Sequence, residues 1–446
     1  MKACLIKLGL EVSQQTEAVP SLSLLHLSAS EPGVVSELVQ DWQEAGIVTR
    51  AEDGREIIKG ENETFILHAD SGDSWDMSAV HKAVAEASSG DDEKTETDAS
   101  DDRLVDYNSL PKRLLLHETS TMPSSKQTPY FNHAAFFWAL KDYHSQHRDS
   151  PHSYGKVLLY GEVVTSTNTM LDKNPTWLDR LPTGLVATAT TQVAGRGRGS
   201  NVWVSPPGSM PFSVVLRHSL TLSTSAPVIF VQYLAALAVV QGIQNYDKGT
   251  ENLPIKLKWP NDIYALDPKA PKDPANKNNN NKSPYVKIGG LLVTSSYSGG
   301  DYTLVVGIGL NVTNAAPTTS LSQLLSHQSQ NQSHQHPKSP KPTLTNERLL
   351  ASILAAFESL YTRFCRTGWD RHFEQLYYSH WLHTDQIVTL EAEGGVRARI
   401  KGITRDWGLL RAEELGWEDR GTGREWALQS DSNSFDFFRG LVRRKV

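Results

Sequence analysis

Several short segments carry side chains suited to chemistry on an anion or a planar amide. Gly195-Arg-Gly-Arg-Gly199 sets two guanidinium groups, Arg196 and Arg198, among glycines. Such planar forks match phosphate and carboxylate oxygens, and glycines such as Gly195 and Gly197 let a backbone approach a ligand closely. Taken alone, the segment fits an RNA-binding Arg/Gly element or a plain basic loop equally well. Gln192 stands three residues before it. Thr165-Ser166-Thr167-Asn168 clusters hydroxyl and amide groups, a pattern that also caps a helix starting near Met170-Leu171. Lys258-Trp-Pro-Asn-Asp262 offers an amide, Asn261, and a carboxylate, Asp262, at a strand-end turn. Lys287 interrupts the apolar run Tyr285 to Val293, where a strand lysine could simply face water.

The elements that must hold these groups are mostly strands. Val157 to Tyr160 is an apolar strand leading into the hydroxyl cluster. Ile255 to Trp259 alternates apolar and basic residues before Pro260-Asn261-Asp262 stops it. Tyr285 to Tyr297 and Tyr302 to Val312 flank Ser298-Gly-Gly-Asp301 as a hairpin, so these strands are antiparallel. Val228 to Val240 and Asn346 to Phe364 have the length and spacing of core helices. The mixture predicts an α+β domain on a largely antiparallel sheet. Beyond Trp381, QIVTLEAEGGVRARIKGITRDWGLLRAE reads as short strands with turns, a small β-barrel in character.

Other regions read as connectors. Ser21 to Leu27 and Thr64 to Leu67 are apolar, and Val34 to Trp42 has helical spacing, which predicts a small domain or docking arm. Gly90 to Asp102 holds seven acids and no large apolar residue, and is expected to be a mobile linker. Residues 267–284 and 326–342 are low-complexity and predict disordered insertions at loop tips. His327, His334 and His336 lack a neighbouring acid or cysteine, so no metal site is expected there.

Composition bounds the class. The chain has 446 residues, 39% of them apolar and 21% charged, enough for two or three folded domains. Residues 1–125 carry 24 acids against 10 bases, while the rest carries 34 bases against 26 acids. A basic body suits anionic ligands such as nucleotides. Val228 to Ile243 is too short and too polar to span a bilayer. Lys7 breaks the initial apolar run, and two cysteines, Cys4 and Cys365, build no disulfide framework. These features predict a soluble, cytoplasmic protein with no membrane partner. No Walker-type GxxxxGK[ST] occurs, Ser200 breaks a GxGxxG, and no Cys or Ser-His-Asp nucleophile is evident.

In order, Ser166 to Asn168 (STN), Gln192 to Gly199 (QVAGRGRG), Lys258 to Asp262 (KWPND), Val286 to Val293 (VKIGGLLV) and Gly307 to Asn311 (GIGLN) resemble the biotin protein ligase, or holocarboxylase synthetase, family. The resemblance covers about Gly155 to Val312 directly and the strand-rich end more loosely; eukaryotic, fungal-like members look closest. It implies a catalytic domain at 126–383 related to class II aminoacyl-tRNA synthetases, with a mostly antiparallel mixed sheet. An SH3-like barrel at 384–446 would follow, after an acidic variable region at 1–125. It implies an ATP-dependent ligase that forms biotinyl-5′-AMP and passes biotin to a lysine of the biotin carboxyl carrier domains of acetyl-CoA carboxylase and pyruvate carboxylase. ATP and biotin would be substrates, with Mg²⁺ at the phosphates.

The residues fit that chemistry. Ser166, Thr167, Asn168 and Gln192 offer donors and acceptors for a ureido ring, and Gly290 with Leu292 an apolar wall. Arg196, Arg198 and Lys287 would offset repulsion between a carboxylate and the α-phosphate. Val286, Ile288, Leu291 and Leu292 are expected to exclude water around Lys287. The resemblance places Trp203 and Asn311 near adenine and ribose, and Asn261 and Asp262 near the phosphates and the incoming lysine, with Asp262 a candidate magnesium ligand.

Two competing readings remain at this level. Lipoate–protein ligases and octanoyltransferases share the fold and a lysine at the Lys287 position, but lack the GRGRG and KWPND pair. An Arg/Gly nucleic-acid binder rests only on the basic body and loop, and no nucleic-acid partner is expected. Residues 1–125 show no helix-turn-helix, so no repressor role is expected. An amidotransferase-like domain of long fungal relatives is also not expected, as in a shortened isoform or gene model.

Overall fold

A computed structural model describes residues 22–69, 107, 110–118, 122–199, 201–203, 205–268, 284–314, 318–332, 342–430, 433–436 and 439–444. The expected linker at 90–102, nearly all of the insertion at 267–284, and Cys4, His334 and His336 lie outside these residues.

Twelve strands form one mixed sheet. β1 (Leu25–Ala29), β2 (Val48–Arg50), β3 (Glu56–Lys59), β4 (Thr64–Ala69) and β5 (Lys112–Leu116) come first. β6 (Val157–Val164), β7 (Val186–Gln192), β8 (Ser209–Ser219), β9 (Ile255–Lys258), β10 (Asp262–Leu266), β11 (Tyr285–Ser298) and β12 (Asp301–Asn311) complete it. Their spatial order is β2-β3-β4-β5-β1-β6-β7-β8-β12-β11-β10-β9. Only β1–β5, β4–β5 and β6–β7 are parallel pairs, so the α+β, largely antiparallel expectation holds.

The described residues between Leu25 and Leu116 are not the separate small domain or arm expected from sequence. β1 pairs antiparallel with β6 from Leu25↔Gly161 to Ala29↔Val157, which makes this region the far half of the main sheet. Leu25, Leu27, Phe65, Leu114 and Leu116 share a core cluster with Leu159, Leu171, Trp177 and Val305. Strand pairing over such sequence distance leaves no local pattern to read.

Helices cover the sheet. They are α1 (Val34–Glu44), α2 (His133–Ser145), α3 (Thr167–Asp172), α4 (Pro175–Leu178), α5 (Val231–Gln244), α6 (Leu321–Gln332), α7 (Asn346–Thr367) and α8 (Arg371–His380). α5 is apolar on nearly every side because it is buried between sheet and α7, with Leu234, Leu237, Val239 and Val240 fully enclosed. At Gly242 a side chain would run into the backbone of Ile353, so this glycine sets the close approach of α5 and α7. The insertion expected to be disordered from residue 326 instead begins as helix: α6 runs to Gln332. Leu321, Leu324 and Leu325, at helical spacing, anchor it in the core.

A second, six-stranded sheet follows: β13 (Ile387–Leu390), β14 (Val396–Ile403), β15 (Leu410–Leu415), β16 (Gly421–Leu428), β17 (Asn433–Asp436) and β18 (Leu441–Arg444), ordered β16-β15-β14-β13-β18-β17. Its buried Val388, Ala398, Ile400 and Leu410 belong to the same apolar cluster as α5 and α7. Among the described residues, no helix is long and apolar enough to cross a membrane.

Candidate active site

One cavity of about 620 Å³ opens where β7, β8, β12, β11 and β10 approach α3 and the 195–203 loop. Its floor is made of small residues on one face of the sheet. Gly290 pairs with Gly309 and Leu292 with Gly307, while Asn311 pairs with Ser209. On the opposite face Ile288, Leu291, Ile308 and Leu310 enter the main core.

Strict alternation would send Lys287 to the face opposite Gly290. A bulge prevents this. Ile263 pairs with Gly289, yet Tyr264 pairs with Lys287, so Ile288 is the extra residue and Lys287 returns to the face of Gly290 and Asp262. Lys287 Nζ then lies 2.6 Å from Asp262 Oδ1. Lys258 Nζ is 3.3 Å from the other oxygen, Oδ2. The Lys287 ammonium also sits 5.6 Å from the centroid of the Trp203 ring. The expected water exclusion by apolar neighbours is corrected here: the Lys287 side chain is 39% exposed, because Ile288 and Leu291 face the core.

At the other end, α3 begins at Ser166, whose Oγ accepts from Thr169 N at 3.3 Å. The capping role and the lining role therefore coincide in one residue. Gln192 Oε1 accepts from Thr167 N at 2.8 Å and from its hydroxyl at 3.2 Å, while Gln192 Nε2 donates to Ser205 Oγ at 2.9 Å. Thr167 Oγ1 meets Ser213 Oγ at 2.9 Å. Asn168 is 5% exposed, and neither its Oδ1 nor its Nδ2 has a protein hydrogen-bond partner. A buried amide left this way is costly, and this one lines the cavity.

The Gly/Arg segment forms a tight turn against its own return. Trp203 N donates to Gly195 O at 2.9 Å and Gly197 N to Asn201 O at 2.8 Å. A side chain at Gly195 would collide with the Trp203 carbonyl, and Gly195 itself does not line the cavity. The loop's own fold therefore requires glycine at this position. Gly197, Arg196 and Arg198 do line it. Arg196 Nη1 is 3.4 Å from Asp172 Oδ2, and Arg198 Nη2 donates to Ser430 Oγ at 3.1 Å. Trp203 lies directly on Gly309, where any side chain would displace its indole, and its Nε1 is buried without a partner.

Asn261 and Asn311 have structural partners. Asn261 Nδ2 donates to Leu291 O at 2.5 Å and Leu291 N to Asn261 O at 2.9 Å, pinning the turn to β11. Asn311 Nδ2 donates to Thr318 Oγ1 at 2.9 Å, and that hydroxyl donates to Lys287 O at 2.8 Å. The second sheet braces the same turn. Trp259 N donates to His383 Nε2 at 3.0 Å, and Trp259 Nε1 to Gly408 O at 3.2 Å. Burial pushes the His383 imidazole down to about 3, which keeps it neutral and able to accept.

Every expected site residue except Gly195 lines the cavity. Sequence reasoning left out Lys258, Ser205, Ser213, Thr318, His383 and Phe435. Lys258 carried a signal through its place in KWPND; Ser213 and Phe435 sit in ordinary strand alternation and carried none. The donor set does not fit a resident metal. Among the described residues no three His, Cys, Asp or Glu groups cluster, and both oxygens of Asp262 face lysine ammonium groups.

The family profile described as "Biotin/lipoate A/B protein ligase family" matches residues 160–311. A biotin–protein ligase of Schizosaccharomyces pombe is 40% identical over 66% of this chain, and the match spans 44% of that protein's own length. Biotin–protein ligase 2 of Arabidopsis thaliana is 31% identical over 67% of this chain and 80% of its own. A solved structure, the biotin protein ligase of Aquifex aeolicus in complex with biotin and ATP, aligns at TM-score 0.43 and 20% identity, covering 65% of this chain and 99% of that one. By its sequence match over most of a plant relative, the chain belongs to the biotin/lipoate A/B protein ligase family, among the biotin–protein ligases.

Proposed function

We propose that the protein is an ATP-dependent biotin–protein ligase. It joins biotin and ATP into biotinyl-5′-AMP and transfers the biotinyl group to a lysine of carrier domains such as those of acetyl-CoA carboxylase and pyruvate carboxylase. The observation that carries this reading is convergence: segments at 166–168, 192–203, 258–262, 287–292 and 307–311 meet around one cavity. Hydroxyl and amide groups gather at one end, and Lys258 and Lys287 flank Asp262 at the other.

In the first step a biotin carboxylate oxygen attacks the α-phosphorus of ATP and pyrophosphate leaves. Two anions must approach, so fixed cations are required. Lys287 exchanges Asp262 for the biotin carboxylate, and Lys258 stays with Asp262 so that its charge is not left alone. Arg196 and Arg198 release Asp172 and Ser430 to meet the phosphates. The unpartnered Asn168 amide, with the Ser166 hydroxyl and the Thr167–Gln192 pair, receives the ureido ring. The Trp203 ring, lying on Gly309, offers a face to adenine, and Asn311 borders the ribose. Magnesium travels with the ATP phosphates as part of that substrate.

In the second step a carrier lysine amine attacks the activated carbonyl and AMP leaves, so the enzyme needs no nucleophile of its own. The same reading takes residues 126–383 as a class II aminoacyl-tRNA synthetase-like catalytic domain and 384–446 as an SH3-like barrel, in a cytoplasmic protein. Incubation with ATP, Mg²⁺, biotin and a carrier domain tests it: the carrier should gain one biotinyl mass. An unchanged carrier mass would overturn the proposal, and lipoylation when lipoate replaces biotin would favour the sister activity.

A further inference from the structure

Behind the biotin end of the cavity lies an ion pair shielded from water. Lys112 Nζ is 3.0 Å from Glu63 Oε1, with side chains 3% and 0% exposed. Buried pairs contribute little net stability but can fix one arrangement over others. This one holds a specific neighbour. Thr165 Oγ1 donates to Glu63 Oε1 at 3.2 Å, and Asn174 Nδ2 lies 3.5 Å from Oε2. Asn174 Oδ1 in turn accepts from the backbone N–H of Asn62 and Glu63 at 3.0 and 3.1 Å. The fit is tight, because any side chain at Gly60 would overlap Asn174.

Thr165 and Asn174 bracket α3, a helix of six residues that carries Thr167 and Asn168. A helix this short does not hold itself in place. Thr165 also reaches the second ligand-binding segment, since its carbonyl accepts from Ala194 N at 2.9 Å, next to Gly195. The β3–β4 turn therefore grips the one residue from which both segments depart.

We propose that Glu63, set by Lys112, is a positioning residue for biotin affinity, acting through Thr165 on Ser166, Thr167 and the start of the 195–203 loop. The proposal rests on the biotin reading of the cavity. Recognition geometry must hold within about 0.5 Å to be effective, so release of Thr165 weakens biotin binding while the ATP end is untouched.

The test is calorimetric titration of biotin into the full chain, beside the ATP KM of intermediate formation. Thr165→Val keeps shape but removes the hydroxyl, and should weaken biotin five- to twentyfold with the ATP KM within twofold. Thr165→Ser restores the hydroxyl and should bind within twofold of the parent. The double variant Glu63→Met with Lys112→Met leaves no buried charge and should weaken biotin at least as much as Thr165→Val, even if the latter folds poorly. Parental affinity in Thr165→Val or in the double variant overturns the proposal, as does equal loss of ATP and biotin. No heat from biotin with the parent chain would instead overturn the functional reading itself.

Discussion

Lys287 and Asp262 meet across a β-bulge, Nζ to Oδ1 at 2.6 Å, on the same face of the sheet as Gly290. The contact exists because Ile288 is an unpaired extra residue: without it the lysine would point into the apolar core. The bulge is thus what delivers a cation to the cavity.

Replacing that cation should separate chemistry from binding. Lys287→Met keeps length and apolar bulk, and the half-exposed ion pair it breaks contributes little to stability. Biotinyl-AMP formation should fall roughly a hundred- to thousandfold, corresponding to about 2.7–4 kcal/mol of transition-state stabilisation. Biotin affinity, measured by calorimetry, should fall by less. Normal turnover at saturating biotin with tenfold weaker binding would make Lys287 a binding residue only.

Gly309→Ala should act on the nucleotide alone. Its methyl would meet the Trp203 indole and lift the ring from β12. The ATP KM should rise tenfold or more while biotin affinity stays within twofold. Equal ATP KM values in parent and variant would remove Trp203 from the adenine site.

Removal of residues 270–281 should leave both half-reactions intact. β10 and β11 are already closed by the hydrogen bond from Asp267 N to Pro284 O at 2.7 Å, between residues that the deletion retains on either side. A folded deletion that makes biotinyl-AMP but no longer modifies the carrier would assign the segment to carrier contact.

Acid should destabilise the fold through its buried histidines. Burial holds His383 and His133 at about 3 against the ordinary 6.5. Between these values the unfolded chain binds protons that the folded chain excludes. Stability from this source is therefore complete above about pH 6.5 and is lost as pH falls toward 3. Each such histidine accounts for about 2 kcal/mol between pH 7 and pH 5. Urea titrations at both pH values should show the loss, and His383→Gln should remove one share of it. An unchanged pH slope in that variant would mean that His383 is protonated in the fold.

Local chemistry was legible in the sequence where a motif and its element coincide. KWPND ends a strand, STN caps a helix, and the GIGLN strand pairs with VKIGGLLV across a hairpin, so each motif could be assigned to its element from sequence. The bulge at Ile288 was not legible, because Val286 to Val293 reads as an uninterrupted strand. Neither was the Glu63–Lys112 pair: two charged residues far apart in an acidic region look like solvated surface. β1 escaped for a related reason, as Leu25 to Ala29 shows that it is a strand without naming β6 as its neighbour. Nonlocal pairing is a property of the whole chain, and single segments do not encode it visibly.

The position of β1 also bears on how the protein can be shortened for work at the bench. A version starting near residue 122 would keep every cavity-lining side chain, yet it would bare the edge of β6, whose Val157 to Tyr160 are all buried in the intact sheet. An apolar strand with unpaired backbone N–H and C=O groups recruits other strands. Such a trimmed protein would precipitate or dimerise through that edge, and polar substitutions along Val157 to Gly161 or a supplied β1 peptide would be needed to keep it in solution.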